Sequence, residues 1–216
     1  MDPQQRDSDH SDEVAAVILC GGRARRLGGR VKALIEVAGE TVLARQRAVL
    51  APQVSALALS ANDPAPFAST GLPVIADATP DQGPLAGVAA ALAWSPAPFV
   101  LIVAGDMPYL SPALIALLLA ARVPAGEVGD SAAIDAVVPY IGGLPEPLLA
   151  LYSRSCLAAA ERRLAAGRRK TSGLVTDEGL RIRTIGEAAL RAVDPDLKSF
   201  TNLNTVSDLR GQRSAR

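Results

Sequence analysis

Histidine is almost missing from this 216-residue chain. The single one, His10, lies in an acidic, polar N-terminal stretch with Asp2, Asp7, Asp9, Asp12 and Glu13. A Ser-His-Asp or Cys-His nucleophile system would have to recruit its base from that stretch. Cysteine is scarce as well. Cys20 and Cys156 stand far apart with no neighbouring ligands, so zinc-ligand spacing is absent and both read as core-facing thiols. Aromatic residues make up 3%, too few for a base-stacking platform. The formal net charge is zero, which gives no general attraction to nucleic acid or to an anionic membrane. No apolar run approaches the roughly 18 residues of a membrane span, and the acidic N-terminus is unlike a signal peptide. A cytoplasmic location is the expectation, with neither nucleic acid nor membrane as partner. The chemistry left to such a chain rests on carboxylates, Lys, Arg, backbone amides and a bound hard metal ion.

What is present points to phosphate. Val14-Ala15-Ala16-Val17-Ile18 is an apolar, β-branched run that reads as a buried strand. Directly after it, residues 19–32 hold four glycines (Gly21, Gly22, Gly28, Gly29) and five cations (Arg23, Arg25, Arg26, Arg30, Lys32). Glycine lets a backbone approach a ligand and aim several N–H groups at it, and the cations supply countercharge. The glycine spacing gives neither G-x-G-x-x-G nor a G-K-[S/T] P-loop, so the loop belongs to another class of nucleotide site.

Residues 1–12 read as a mobile tail and 13–216 as one domain. Further strands are expected at Val54–Ser60, Leu72–Ala76, Pro98–Ala104, Asp135–Ile141, Glu146–Tyr152 and Leu180–Ile185. Helices are expected from Gly83-Pro84 to Trp94, from Ser111-Pro112, from Ser153 to Ala166, and briefly near Thr205–Arg210. Residues 33–43 read as a short strand pair around Ala38-Gly39-Glu40, and Thr41 serves equally as the N-cap of a helix to Ala51. Residues 124–130 read as a loop. Strands apolar on both faces, alternating with helices, imply a parallel sheet covered on both sides, with ligands at the carboxyl ends of its strands.

Two more elements fall at such ends. Gly105-Asp106-Met107-Pro108 follows the Phe99–Ala104 run; Asp106 there either holds Mg²⁺ beside phosphates or caps a turn. Asp81-Gln82-Gly83-Pro84-Leu85-Ala86-Gly87 opens a helix with free N–H groups, and Gly87 permits close packing or close ligand approach. Lys32 is one of three lysines, with Lys170 and Lys198, in a chain whose other cations are all Arg. The cluster Arg162-Arg163 and Arg168-Arg169-Lys170 reads as a solvated helix end or as a docking patch for an anionic ligand or a partner protein.

The ordered set L-x-G-G-x-x-x-R-x-G-G-x-x-K (19–32), G-P-L-A-G (83–87), G-D-x-P (105–108) and Asn202-Leu203-Asn204-Thr205 resembles the bacterial molybdenum cofactor guanylyltransferases, a nucleotidyltransferase family. The resemblance spans Val14 to about Leu209. It implies an α/β, Rossmann-like three-layer fold with a mostly parallel central sheet. It implies transfer of GMP from GTP to the terminal phosphate of molybdopterin, with Mg²⁺ and release of pyrophosphate. By position, it assigns Leu19, Gly21, Gly22 and Lys32 to the nucleotide, Asn62 and Asp77 to the guanosine side, and Asp106 to the metal. Arg26, Asn202 and Asn204 match positions facing the pterin, and Lys32, Asp106 and Arg26 are the catalytic candidates. Molybdoenzyme-maturation proteins are implied as partners. The chain departs from the family at Val31, where an acid usually precedes the loop lysine; without it Lys32 is expected to be held less firmly. Three other readings stay open: a cytidylyltransferase acting on the same pterin, another sugar- or alcohol-phosphate nucleotidyltransferase, and a non-catalytic adapter that binds nucleotide or pterin.

Overall fold

An apolar run is stable as a strand only where both of its faces are covered, and that condition is met here. The structure is a computed structural model and describes residues 14–21, 23–24, 30–79, 82–122, 134–176 and 179–203. The expected tail (1–12), the 124–130 loop and the helix near Thr205–Arg210 lie outside the described residues. The main sheet contains β1 (Val14–Leu19), β2 (Ala56–Ser60), β3 (Val74–Ile75), β4 (Phe99–Ala104), β5 (Ala136–Ile141), β6 (Leu144–Pro145), β7 (Leu149–Ser153) and β8 (Ile182–Ile185). The helices are α1 (Val42–Leu50), α2 (Pro84–Trp94), α3 (Pro112–Ala120), α4 (Cys156–Ala165), α5 (Ser172–Val175) and α6 (Glu187–Val193).

β1 sits between β2 and β4 and is parallel to both; Val17 pairs with Ala58 on one side and with Ile102 on the other. β3 continues parallel beside β2, and β8 runs parallel to β5. Within the main sheet, the antiparallel pairings among the described residues all involve the β6–β7 return, which joins β5 to β4. The sheet is thus mostly parallel, and its two faces are filled by alternate residues of the same strands. Ala16, Ile18, Leu101 and Val103 pack on Leu43 and Leu50 of α1, Leu114 and Leu118 of α3, and Leu190 of α6. Val17, Ala58, Val100 and Ile102 pack on Leu85, Val88 and Leu92 of α2 and on Ala159 and Ala160 of α4. Three layers result, as the strand–helix alternation requires.

The helix starts follow local chemistry. Ser111 Oγ accepts from the Leu114 amide at 3.3 Å, with Pro112 in the first turn. Thr41 fills both of its expected roles: it ends a short ladder, paired with Glu36, and its Oγ1 caps α1 by accepting from the Ala44 amide at 3.1 Å. The stretch expected as one strand over 146–152 is divided. Gly142 and Gly143 make a two-residue turn with φ of +57° and +79°, the geometry that closes a tight hairpin. Leu144-Pro145 then pair with Ile141-Tyr140, and regular pairing resumes only at β7. Glu146, Pro147 and Leu148 bulge between, because Pro145 and Pro147 have no N–H to give the ladder. Helices α5 and α6 lie where none was expected.

Candidate active site

The order of the strands places the site. From β1 the chain moves through α1 to β2 and β3 on one side, then crosses by α2 to β4 on the other. The crevice between the carboxyl ends of β1 and β4 is therefore the switch point of the sheet, where ligands bind in open α/β folds. A cavity of about 460 Å³ opens there, and Leu19, Gly21, Lys32, Asn62, Asp77 and Asp106 all line it. Every described residue assigned to the nucleotide side is thus brought together.

Close backbone approach shapes the floor. The Gly105 amide donates to the Leu19 carbonyl at 2.9 Å, and a Cβ on Gly105 would stand 2.8 Å from that oxygen. Only glycine fits. Gly87 belongs to α2, and a Cβ there would meet Ser60 Oγ at 3.0 Å and Leu19 Cδ2 at 3.1 Å, so its role is close helix–sheet packing.

The cation and the acid of the site touch. Lys32 Nζ donates to Asp106 Oδ2 at 2.8 Å, with the two side chains 27% and 20% exposed. Lys32 begins a short 3₁₀ turn, Lys32–Leu34, whose Ala33 is buried beneath the cavity. The expectation that Val31 leaves Lys32 loosely held is corrected here, since Asp106 holds the ammonium from across the sheet. Val31 itself packs against the core cluster beneath β1, an apolar task that a carboxylate would do badly.

The Asp106 loop is fixed from below by Gln46, a residue with no forecast role. Gln46 is fully buried on α1, and its Nε2 donates to the Ala104 carbonyl at 2.8 Å and to the Met107 carbonyl at 3.0 Å. From the other side the Leu203 amide donates to the Asp106 carbonyl at 2.9 Å, which ties the Asn202 segment to the same loop. At the β2 and β3 ends, Asn62 and Asp77 hold each other. The Asp77 amide donates to Asn62 Oδ1 at 2.9 Å, and Asn62 Nδ2 donates to Asp77 Oδ2 at 3.2 Å. Burial pushes the Asp77 carboxyl up from its ordinary range, against the opposing hydrogen bonds from Asn62 and Ser60. Cys20 also lines the cavity, but burial pushes its thiol up to about 12, so it supplies no thiolate.

A second cavity, of about 570 Å³, shares the wall made by Gly83, Pro84, Ala104, Asp106 and Leu148. Asn202, Glu146, Arg169, Lys170 and Thr171 also line it. Arg169 and Lys170 of the basic cluster therefore border a cavity and, like Arg162 and Arg168, stand exposed. Gly22, Arg26 and Asn204 lie outside the described residues. The residues missed were Gln46, whose mid-helix position reads as a surface amide, and the Glu146–Leu148 bulge, which the spacing of Pro145 and Pro147 could have revealed.

Among the described residues no group of three or more His, Cys, Asp or Glu could hold a metal ion. Asp106 alone suits a hard cation that arrives with phosphate oxygens and keeps waters, as Mg²⁺ does. Among the described residues, too, no helix is long and apolar enough to cross a membrane.

Residues 16–178 match the model of the MobA-like NTP transferase domain. That match covers most of the chain. The chain belongs to the MobA-like NTP transferase family. Curated relatives agree with this placement. The molybdenum cofactor guanylyltransferase of Desulfosudis oleivorans is 36% identical over 94% of this chain and 96% of its own length. That of Rhodopseudomonas palustris is 39% identical, over 94% and 93%. Among solved structures, the molybdopterin-guanine dinucleotide biosynthesis protein A of Archaeoglobus fulgidus superposes with a TM-score of 0.75 at 27% identity, covering 93% of this chain and 97% of that one. A 4-diphosphocytidyl-2C-methyl-D-erythritol synthase from Anaerococcus prevotii, 14% identical with a TM-score of 0.65 over 94% and 96% of the two chains, shares the fold alone.

Proposed function

We propose that this MobA-like transferase moves GMP from GTP to the terminal phosphate of molybdopterin, releasing pyrophosphate and making the guanine dinucleotide form of the molybdenum cofactor. One observation carries the reading: Asp106 lines both cavities, so a nucleotide phosphate in one and an acceptor phosphate in the other meet beside it.

The reaction is an in-line displacement. An oxygen of the acceptor phosphate forms a bond to the α-phosphorus of GTP as the bond to the pyrophosphate oxygen breaks. No side-chain nucleophile is needed, which suits a chain whose one histidine is His10. Lys32 and the Gly21 backbone amide offset charge on the phosphates, and Gly22 and Arg26 follow in the same stretch of sequence. A divalent cation, which we take to be Mg²⁺ held by Asp106, neutralises phosphate charge when bound. Asn62 and Asp77 receive guanosine. Two adjacent N–H donors on the guanine edge match a carboxylate, whereas cytosine offers one donor beside acceptors. Asn202, which lines the second cavity, and Asn204 are assigned to the pterin. We place the reaction in the cytoplasm, with molybdoenzyme-maturation proteins as partners.

The test is an anaerobic incubation with molybdopterin, Mg²⁺ and either GTP or CTP, with pyrophosphate and product mass followed together. Pyrophosphate released with GTP, and a pterin heavier by GMP, support the reading. A preference for CTP would reassign the base, and nucleotide binding without turnover would make the chain an adapter.

A further inference from the structure

Glu146 carries a carboxylate that the fold does not use. It is half-buried, and burial pushes its carboxyl up from the usual range. Among the described residues its side chain makes no hydrogen bond and no ion pair, while its backbone is held firmly. The Glu146 amide donates to the Pro139 carbonyl at 2.9 Å, and the Leu148 carbonyl accepts from the Ala104 amide at 2.8 Å. Tyr152 Oη donates to the Pro147 carbonyl at 2.8 Å. A rigid segment that holds a half-buried acid with no partner among the described residues gives up part of that acid's hydration for no structural return. Such groups gather where a ligand supplies the missing partner.

The surroundings define that ligand. The cavity that Glu146 lines also holds Arg169, Lys170 and Thr171, and Asp106 joins it to the nucleotide cavity. Thr171 is 4% exposed and its hydroxyl has no partner among the described residues. Cations and an acid in one cavity suit a molecule that is anionic at one end and rich in N–H donors elsewhere. A pterin phosphomonoester is such a molecule: its pyrimidine ring presents a ring N–H and an exocyclic amino group side by side. We propose that Glu146 is a specificity-determining residue for the acceptor, its two carboxylate oxygens accepting from those two donors while the phosphate end lies toward Asp106. This rests on the reading of the acceptor as a pterin phosphate given above.

The experiment is anaerobic equilibrium binding of molybdopterin to the full chain by ultrafiltration, with GTP binding measured separately, for wild type, Glu146→Gln and Glu146→Asp. Glutamine replaces one acceptor by a donor that opposes a ligand N–H. Its molybdopterin Kd should rise roughly ten- to a hundredfold, as loss of charge-assisted bonds implies. GTP Kd should stay within about twofold, and the melting temperature should hold or rise because an unpaired acid has gone. Glu146→Asp keeps both acceptors on a shorter stem and should lose less. An unchanged molybdopterin Kd in Glu146→Gln overturns the proposal, as does an equal loss of GTP binding or a lowered melting temperature in both variants. The guanylyl-transfer reading fails separately: a wild type that binds molybdopterin through Glu146 yet transfers no GMP would sink that reading and leave this one standing.

Discussion

Lys32 and Asp106, 74 residues apart in the chain, meet as an ion pair at 2.8 Å above the ends of β1 and β4. Neighbouring parallel strands make this possible, since their carboxyl ends come out side by side. Both groups are partly exposed to the cavity, where incoming phosphate and its cation can compete for them. The pair therefore orders both side chains at the cavity, and under the proposed function each would exchange its partner for a phosphate or a metal ion.

Lys32→Ala should lower kcat by about 10²–10³-fold, the usual result of removing one donor to developing phosphate charge. Folding should persist, because a pair this exposed is worth about 1 kcal/mol or less. Steady-state kinetics with circular dichroism checks both halves; a collapsed spectrum would show that Lys32 is structural.

Asp106→Asn keeps the shape of the side chain and removes its charge. Activity should fall severely and recover only in part at high Mg²⁺, because a neutral amide holds a hard cation poorly. Titrating activity against Mg²⁺ is the measurement. Wild-type activity at low Mg²⁺ in the variant would reduce Asp106 to a turn residue.

Gln46→Met fills the same space but removes both bonds to the Ala104 and Met107 carbonyls. The Ala104 carbonyl keeps the Met107 amide at 3.4 Å, whereas the Met107 carbonyl loses its side-chain donor. That loss of about 1–3 kcal/mol is offset in part by removing Gln46 Oε1, which is buried without a partner among the described residues. Thermal melting should begin a few degrees lower. The loosened Asp106 loop should lower kcat roughly tenfold with little change in GTP Kd. A drop in stability without the drop in kcat would make Gln46 purely structural.

Asp77 gives a pH dependence. Burial raises its carboxyl in the folded chain, so the native state holds that proton more tightly than the unfolded chain does. The contribution to stability is full below the ordinary aspartate range and is lost as pH rises through the raised value. Asp77→Asn should therefore match wild type in strong acid and gain on it above that window, as denaturation midpoints across pH would show. GTP binding should move the other way: Asp77→Asn should weaken it at neutral pH, and the difference should shrink as wild-type Asp77 takes up its proton.

Much of this was legible in the chain. Val14–Ile18 and Phe99–Val103 are apolar at every position, a pattern with no stable place except a strand covered on both faces, and the glycines and charges that follow them mark a phosphate site. Gly83-Pro84 and Ser111-Pro112 fix helix starts by local chemistry. What stayed hidden depends on tertiary contact. Gln46 reads as a surface amide until its partners, 58 and 61 residues away, are known. The ion pair of Lys32 with Asp106 depends on which strands are neighbours, so Val31 looked like a lost anchor when it is a packing residue. The bulge at Glu146 was masked by apolar continuity through Leu148, although Pro145 and Pro147 deny the ladder its donors.

The most direct measurement follows the phosphorus atoms. GTP labelled at the α-phosphate and GTP labelled at the γ-phosphate are each incubated anaerobically with the protein, molybdopterin and Mg²⁺. The α label should appear in the pterin product and the γ label in pyrophosphate, with both transfers suppressed in Lys32→Ala and Asp106→Asn. The α label remaining in free GTP or GMP, or transfer unaffected by those substitutions, would contradict guanylyl transfer at the ends of β1 and β4.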